Sequence, residues 1–335
     1  MNAKEIPVTR LGVRIGQAED AAGGTGCTVF ICEQGMRAGL DVRGGGPASR
    51  ESELLKPLAN AQTIHAILLS GGSAFGLGAA NGVMAFLEEH DIGCDVGVTK
   101  VPLVVQSDIF DLAVGDKSAR PDYSMGYEAA RHAMEAPNYQ DGNHGVGCGA
   151  TVGKFELAKS CMKAGIGSYA MEIGALKIGA VVVVNAFGDV FDWKTGKQVA
   201  GLLTENKKGL RSTAEMMKQR IAPTDNKFVG NTTLGVVMTN AGLNKVQLCK
   251  IAGMAHNGYA RAIRPVHTSA DGDSIYAVST GNVPADMDLV GTLAAEVVSE
   301  AILRAVLSAE SAYGFMAARD LERAVKTSGQ AGGLD

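Results

Sequence analysis

The chain contains 335 residues, 46% of them hydrophobic and 20% charged, which is enough to bury a large core and excludes an intrinsically disordered protein. Its net charge of −4 gives no electrostatic reason to expect nucleic acid or an anionic membrane surface as a partner. The longest apolar run, residues 178–184, is far too short to cross a bilayer, and residues 1–17 lack the apolar core of a secretory signal, so we expect a soluble cytoplasmic protein.

The first part of the chain alternates between strand-like and helix-like patterns. Strands are predicted at residues 27–32, 36–43 and 64–70, and helices at residues 73–90 and 123–136. The strongest strand signal lies within 175–192, where the apolar run is typical of a strand covered on both faces. The polar, lysine-rich stretch 194–230 that follows is predicted to be a long loop; a connection this long in a compact domain is usually functional, disordered or an error of assignment.

Regular structure resumes after this loop. A strand is predicted at 233–240, followed by a helix for which Asn244 is a good N-cap. A strand at 274–280 and a helix at about 288–308 complete the pattern, which indicates a mixed α/β fold of stacked sheet and helix layers. The six cysteines form no CxxC pair and lie in apolar contexts, so we expect buried thiols.

Familiar cofactor and nucleophile motifs are incomplete in this chain. Ser73 in GGSAFG lacks the second glycine of G-x-S-x-G, and GVGCGA at 145–150 is not followed by the acidic residue of a dinucleotide-binding unit. Lys154 lacks the spacing of a phosphate loop, and DGD at 271–273 is far short of a calcium loop. His267 has no partner at ligand spacing and is expected to be a core or turn histidine. We therefore predict no cofactor and no metal.

Asn231 and Thr232 stand where the polar loop meets the strand predicted at 233–240. Two interpretations are open: an ordinary threonine-rich strand start, or a point at which the chain cuts itself. A threonine hydroxyl is a weak nucleophile unless a base lies beside it, and the residue's own free α-amine can serve, because its ordinary pKa of about 7.7–8.0 leaves much of it neutral. That amine exists only if the bond between residues 231 and 232 is cleaved.

Several long motifs occur in an order that resembles one family. They are DVRGGGP at 41–47, LLSGGSAFGLGAANGV at 68–83, GATVGK at 149–154, VVVNAFGDV at 182–190, GNTTLGVVMTNAGLNKVQL from Gly230 and RPVHTSADGDSIYAVST from Arg264. Together they are similar to the self-processing peptidases of the L-aminopeptidase/D-esterase family, which includes the β-peptidyl aminopeptidases and the nylon-oligomer (6-aminohexanoate oligomer) endo-hydrolase. The similarity extends over nearly the whole chain.

This resemblance implies an N-terminal nucleophile hydrolase with a four-layer α-β-β-α sandwich, built as a single domain from residues 1–335. Cleavage before Thr232 would give an α chain, 1–231, and a β chain, 232–335, that stay together. The implied reaction is hydrolysis of a small peptide or amide through an acyl-enzyme on Thr232, with α-, β-, D- and ω-amino-acid amides all open as substrates. Relatives assemble as tetramers or larger, so a homo-oligomer is expected.

Residue roles follow from the matching motifs. Asp271 and Asp273 match the family's acidic pair, which would orient the Thr232 amine or recognise a substrate's amino group; a turn that caps the next strand is the alternative. Asn185 matches the asparagine whose amide donates to the oxyanion, although it could make only a turn. Lys154 matches a lysine of the nylon-hydrolase branch, which would pair with the acids or assist the threonine hydroxyl; a solvated loop lysine is the alternative.

One position departs from the family pattern. Where several relatives have a tyrosine near the nucleophile, SDIFDL offers Phe110, which is expected in the substrate pocket but has no hydroxyl to hold an oxyanion. Asn185 and a backbone N–H would then share that task. Two other functions stay open: an acyltransferase of the related ornithine acetyltransferase fold, whose A-T-M-L cleavage motif differs from the N-T-T-L found here, and an unprocessed binding protein.

Overall fold

The structure, a computed structural model, describes residues 3–221, 230–321 and 323. Within these ranges the strands are β1 (Lys4–Glu5), β2 (Arg14–Asp20), β3 (Thr25–Val42), β4 (Ala48–Arg50), β5 (Ile64–Ser70), β6 (Cys94–Asp95), β7 (Lys100–Val101), β8 (Val104–Asp108), β9 (Thr151–Val152), β10 (Met162–Lys163), β11 (Ile166–Ile173), β12 (Leu176–Asn185), β13 (Asp189–Phe191), β14 (Gln198–Ala200), β15 (Leu202–Leu203), β16 (Leu210–Arg211), β17 (Thr232–Ala241), β18 (Ile263–Arg264) and β19 (Ser274–Val283). The α-helices are α1 (Ala79–Glu89), α2 (Tyr123–Glu135), α3 (Thr213–Lys218), α4 (Lys245–Ala262) and α5 (Met287–Leu307).

Strand β3 belongs to two sheets. Its first half pairs with β2 and β5, and its second half pairs with β19. The change falls between Ile31 and Met36, where the ladder with β5 shifts register and Gly35 adopts a φ of 80°, a conformation that glycine takes without steric cost. The segments 27–32 and 36–43, predicted as separate strands, are therefore one strand with an irregularity. Hydrogen bonding is continuous through β3, in the order β1-β11-β12-β17-β19-β3-β5-β8-β4, with β2 also pairing with β3. We call the part from β1 to the second half of β3 the first sheet, and the part formed by the first half of β3 with β2, β5, β8 and β4 the second sheet.

Helices cover the outer face of each sheet. Helix α4 packs on β3 and β19 and α5 on β11 and β12, whereas α1 and α2 cover the second sheet. Alternation along β3 separates the layers: Phe30 joins the cluster between the sheets, and Val29 and Ile31 pack in the cluster with α1 and α2. Helix α4 lies so close to β3 that a Cβ on Gly39 would come within 2.2 Å of the Cys249 backbone nitrogen. The predicted four-layer α-β-β-α sandwich is confirmed.

Most elements predicted from the pattern exist with shifted ends. Residues 73–78 form a 3-10 turn, so α1 begins only at Ala79. The segment predicted as one strand within 175–192 is divided into β12 and β13. Asn244 caps α4 as predicted, and its capping box is completed by Gln247. The strands β2, β8 and β11 were not predicted, because their apolar residues are too interspersed with polar ones to stand out locally.

The segment predicted as a loop at 194–230 contains regular secondary structure in the part that the structure describes, which corrects that prediction. Residues 198–218 contain β14, β15, β16 and α3, and residues 222–229 lie outside the described part of the chain. The buried Asp189 carboxylate organises this region, because it accepts hydrogen bonds from the Leu202 N–H at 2.9 Å and the Thr213 N–H at 2.6 Å. Such long-range side-chain contacts have no local sequence signal.

The cysteines do not all follow the predicted burial. Cys27, Cys148 and Cys161 are buried, whereas Cys94 is exposed on the β6–β7 hairpin. Among the described residues, no helix is both long and apolar enough to cross a bilayer.

Candidate active site

The peptide bond between Asn231 and Thr232 lies at the start of β17, a central strand of the first sheet. On one side β17 pairs antiparallel with β12, so that Thr232 stands opposite Asn185. On the other side it runs parallel to β19, and a bridge joins Asn231 to Asp271. Residues far apart in sequence therefore meet at this one strand end, and Thr232 is only 4% exposed there.

Two donors converge on the carbonyl oxygen of Asn231. The Thr232 hydroxyl donates to it at 2.5 Å, and the Gly272 backbone N–H donates to it at 2.8 Å. A Cβ on residue 272 would lie 2.6 Å from Thr232 Oγ1, so only glycine leaves room for the hydroxyl. Hydrogen bonds to a carbonyl oxygen stabilise the negative charge that develops there during nucleophilic attack. Gly272 was not predicted, and its only sequence signal is its place between Asp271 and Asp273.

The Asp273 carboxylate accepts hydrogen bonds from two backbone N–H groups and one histidine ring. Its Oδ1 accepts the Thr233 N–H at 2.8 Å, and its Oδ2 accepts the His267 backbone N–H at 3.1 Å and ring Nδ1 at 2.8 Å. The carboxylate is buried. It therefore fixes the residue that follows Thr232, and His267 is a turn histidine with a specific partner.

Asp271 has a different environment. Its Oδ2 accepts the Thr268 N–H at 2.9 Å and also the Thr268 hydroxyl, but its Oδ1 receives only the Phe187 N–H at 3.4 Å. Burial, and then the charge of Asp273, raises the pKa of Asp271 to about 6. Asp271 and Asp273 thus each accept three hydrogen bonds from the described residues, and Asp271 differs in that its contact on Oδ1 is long, at 3.4 Å. The two members of the predicted acidic pair therefore have distinct surroundings.

Lys154 is buried and donates three hydrogen bonds. Its Nζ contacts Asn185 Oδ1 at 2.5 Å, the Asn185 carbonyl at 3.2 Å and the Gly230 carbonyl at 3.2 Å. Burial lowers the pKa of Lys154 to about 8, while the thiol of Cys161 and the carboxylate of Asp271 oppose the shift. The alternative of a solvated loop lysine is therefore wrong, because only 6% of the residue is exposed.

Asn185 links this lysine to Phe110. Its Oδ1 accepts the Thr151 N–H at 3.1 Å in addition to Lys154, and its Nδ2 donates to the Phe110 carbonyl at 3.0 Å. One of the two amide protons is thus committed in the uncleaved chain. The Phe110 ring lies against Gly230, since a Cβ there would be 1.9 Å from Phe110 Cγ.

The motif DVRGGGP at 41–47 supports the acidic loop. The N–H groups of Arg43 and Gly44 donate to the Asp273 carbonyl at 3.0 and 3.2 Å, and the Gly46 N–H donates to the Asp271 carbonyl at 2.9 Å. A Cβ on Gly44 would lie 2.3 Å from that same Asp271 oxygen. The backbones approach too closely at this point for a larger residue, which explains Gly44.

All the predicted site residues converge on the 231–232 peptide or its direct contacts. They are Thr232, Asn231, Asn185, Asp271, Asp273, Lys154 and Phe110. Among the described residues, no three His, Cys, Asp or Glu side chains form a group able to hold a metal ion. Gly272 and His267 also belong to this site, and reasoning from the sequence did not place them there.

Comparison with known proteins points in the same direction. The model of peptidase family S58 matches residues 10–319. An uncharacterized aminopeptidase of Mycobacterium leprae is 39% identical over 310 residues, covering 86% of this chain and 84% of the relative. A 6-aminohexanoate-oligomer endohydrolase of Agromyces sp. is 30% identical over 312 residues, covering 88% of this chain and 84% of the relative.

Solved structures share the fold at low sequence identity. The L-aminopeptidase D-Ala-esterase/amidase of Ochrobactrum anthropi, described as a variant of the Ntn hydrolase fold, has a TM-score of 0.68 at 18% identity and covers 97% of this chain and 93% of its own. The β-aminopeptidase of Burkholderia sp. has a TM-score of 0.65 at 20% identity with the same coverage. The resemblance read from the motifs is confirmed.

Proposed function

We propose that Thr232 is the nucleophile of this protein and that the chain cuts itself before this residue. The premise is that the chain belongs to peptidase family S58 and is a hydrolase of peptide or amide bonds. One observation carries the proposal. The Thr232 hydroxyl and the Gly272 N–H both donate to the carbonyl oxygen of Asn231, which belongs to the peptide bond that must break. A nucleophile and an oxyanion donor are thus in contact with the same peptide.

Self-cleavage begins when Thr232 Oγ1 attacks the Asn231 carbonyl carbon. The oxyanion that forms is stabilised by the Gly272 N–H. As the intermediate collapses, the C–N bond breaks, the proton of the Thr232 hydroxyl passes to the departing nitrogen, and the acyl group stays on Oγ1 as an ester. Water then hydrolyses the ester, which leaves a carboxylate on Asn231 and a free α-amine on Thr232. The ammonium of Lys154 assists, because it holds both the Gly230 carbonyl and Asn185 in place.

The mature enzyme uses the same atoms on an external amide. The new amine of Thr232 accepts the proton of its own hydroxyl and later delivers it to the leaving amine. The Gly272 N–H, released by the departing Asn231 carbonyl, becomes available to the substrate oxyanion together with Asn185. Asp271 and Asp273 stabilise the ammonium form of the amine.

The substrate we propose is a small peptide or amide with a free amino group. Asp271 supports this class, because its Oδ1 carries only the long 3.4 Å contact from Phe187 and can accept a substrate ammonium. The names aminopeptidase and 6-aminohexanoate-oligomer endohydrolase among the relatives are consistent with such a group. A panel of p-nitroanilides and short amides, each with a free and a blocked amino group, tests it: hydrolysis of the blocked members at equal rates would contradict the assignment.

We also propose that the processed chains assemble as a homo-oligomer, a tetramer or larger. Support comes only from the family resemblance, so the measurement is direct. Size-exclusion chromatography with light scattering of the purified protein should give at least four times the mass of 34.6 kDa. A mass near one chain would contradict it.

Denaturing mass spectrometry of the purified protein tests self-cleavage. The wild type should separate into two chains, the smaller beginning with TTLGVVMTN, whereas Thr232→Ala should remain one chain. Thr233→Val is the matched control. The Thr233 hydroxyl is buried and has no hydrogen-bond partner within the described part of the chain, and the N–H of residue 233 still donates to Asp273 in the variant. This variant should still cleave.

Three outcomes separate the alternatives. An intact wild-type chain that hydrolyses amides would disprove the Thr232 mechanism, and an intact, inactive chain would favour the unprocessed binding protein. A cleaved chain that transfers acetyl from acetylornithine to glutamate, without hydrolysing amides, would favour the acyltransferase.

A further inference from the structure

His267 supplies two of the three donors that hold Asp273. Both its backbone N–H and its ring Nδ1 point at Asp273 Oδ2, at 3.1 and 2.8 Å, while Oδ1 takes the N–H of Thr233 at 2.8 Å. Asp273 is therefore a bridge between His267 and the residue directly after the nucleophile. Hydrogen bonds to a carboxylate are stronger than hydrogen bonds between neutral groups, so the link from His267 through Asp273 to Thr233 constrains both residues.

The backbone of His267 adopts a conformation that few residues take. Its φ is 57°, in the left-handed region, where asparagine, aspartate and histidine are the usual non-glycine residues. Residues in this region persist where the surrounding structure holds them, and they cluster at functional sites. Here the conformation occurs where two donors of one residue meet a single buried oxygen.

The ring is held on its other side by helix α4. Its centroid lies 4.7 Å from that of His256 at an interplanar angle of 74°, and 5.8 Å from that of Tyr259 at 29°. Its Nε2 is buried and has no hydrogen-bond partner among the described residues, so in the neutral ring the proton resides on Nδ1, facing Asp273. Burial lowers the pKa of His256 to about 4, so this neighbour is neutral and does not repel the ring.

We propose that His267 is a positioning residue that, through Asp273, fixes the backbone at Thr233 and thereby aims the Thr232 hydroxyl at the peptide to be cut. The inference rests on the proposed function, since it presupposes that Thr232 is the nucleophile. His267 acts through one carboxylate, that of Asp273. In this arrangement the Asp273 carboxylate is held by three N–H donors of the described residues, two of them from His267.

Two substitutions distinguish the contribution of the His267 ring N–H from that of the left-handed backbone conformation. His267→Asn suits the left-handed conformation and offers a side-chain N–H near the position of Nδ1, whereas His267→Gly takes the same backbone without any side-chain donor. We expect self-cleavage of refolded precursor to slow by about 10- to 100-fold in the glycine variant, as for loss of one charge-assisted hydrogen bond, and to stay within a few-fold of wild type in the asparagine variant. In the cleaved enzyme kcat should fall while KM is retained.

His90→Asn is the control for losing a histidine, because His90 is exposed at the end of α1 and should cleave like wild type. Wild-type rates in His267→Gly would overturn the proposal. Equal slowing in both His267 variants would also overturn it, since the donor would then not be what matters. Failure of the proposed function appears differently, as a wild-type chain that never cleaves.

A second measurement does not depend on cleavage or on the folding of a His267 variant. The Nδ1 atoms of His90, His132 and His144 also face acceptors. In the uncleaved Thr232→Ala chain that also carries His90→Asn, His132→Asn and His144→Asn, a downfield proton resonance coupled to the Nδ1 of a histidine should still be visible by NMR. Its absence would show that the His267–Asp273 bond does not form, and the proposal would fall.

Discussion

Gly272 donates its backbone N–H to the carbonyl oxygen of Asn231 over 2.8 Å, and its missing side chain leaves the space that Thr232 Oγ1 occupies. The relationship comes from the parallel pairing of β17 with β19 just beyond it. A backbone donor on one strand thus faces the carbonyl of the other at the point where both strands begin. In the proposed self-cleavage, this backbone donor would stabilise the oxyanion.

Gly272→Ala should slow self-cleavage by about 100-fold, because the new Cβ would displace the hydroxyl and misplacement by about 1 Å can cost this much. The matched control is Gly46→Ala, whose Cβ would meet only the Asp271 carbonyl oxygen at 3.8 Å and whose N–H is retained. Chain separation over time on denaturing gels measures both. Rapid cleavage of the Gly272 variant would show that the hydroxyl does not need this space.

Self-cleavage should decline above a pH of about 8, the pKa to which burial lowers Lys154. Nζ donates to three acceptors, which requires all the protons of the ammonium form. Precursor refolded between pH 6 and pH 10 supplies the profile. Lys154→Met should be slow throughout and lack this decline. A wild-type rate that instead rises through pH 8 would mean that neutral Lys154 accepts the hydroxyl proton, contrary to the role assigned.

The uncleaved Thr232→Ala chain should lose stability as the pH rises through about 6. Burial, and then Asp273, raises the pKa of Asp271 from 3.8 to about 6, so the folded state binds this proton more tightly than the unfolded state does. The resulting stabilisation is fully present below the pKa of Asp271 in the unfolded chain and is lost as the pH rises through its pKa in the folded chain. A shift of this size corresponds to about 3 kcal/mol in the free energy of unfolding.

Denaturant titrations at pH 4 and pH 7 measure this loss. Asp271→Asn in the same background should lack it, because the amide does not titrate. Asp95→Asn, on the exposed β6–β7 hairpin, is the control and should behave like the parent. An unchanged pH dependence in the Asp271 variant would contradict the assignment of this titration.

Thr233→Val should stabilise the uncleaved chain by about 1 kcal/mol, since a buried hydroxyl without a partner carries a desolvation cost that a methyl group does not. Thr239→Val is the contrasting control on the same strand. Its hydroxyl donates to the Lys177 carbonyl at 2.8 Å and accepts the Ala241 N–H at 3.1 Å, so its loss should destabilise. Chemical denaturation measures both effects. Equal effects of the two substitutions would contradict the difference in hydrogen bonding between the two hydroxyls.

Several elements were predictable from local pattern alone. The apolar run of β12 and the Asn244 capping box identify a buried strand and a helix start, because period and cap chemistry are local properties. The long segment before Thr232 was harder. Its β14–β16 strands depend on the buried Asp189, and no window of the sequence reveals that partner.

Residue type and the order of the motifs suffice to recognise the candidate reactive side chains, which are Thr232, Lys154, Asn185, Asp271 and Asp273. Their contacts with one another depend on how the strands pair. The pairing of β17 with β12 and β19 brings the Gly272 N–H to Asn231 and joins His267 to Asp273. Backbone donors are the same in every residue but proline, so their use depends on strand register, which forms between segments far apart in the chain.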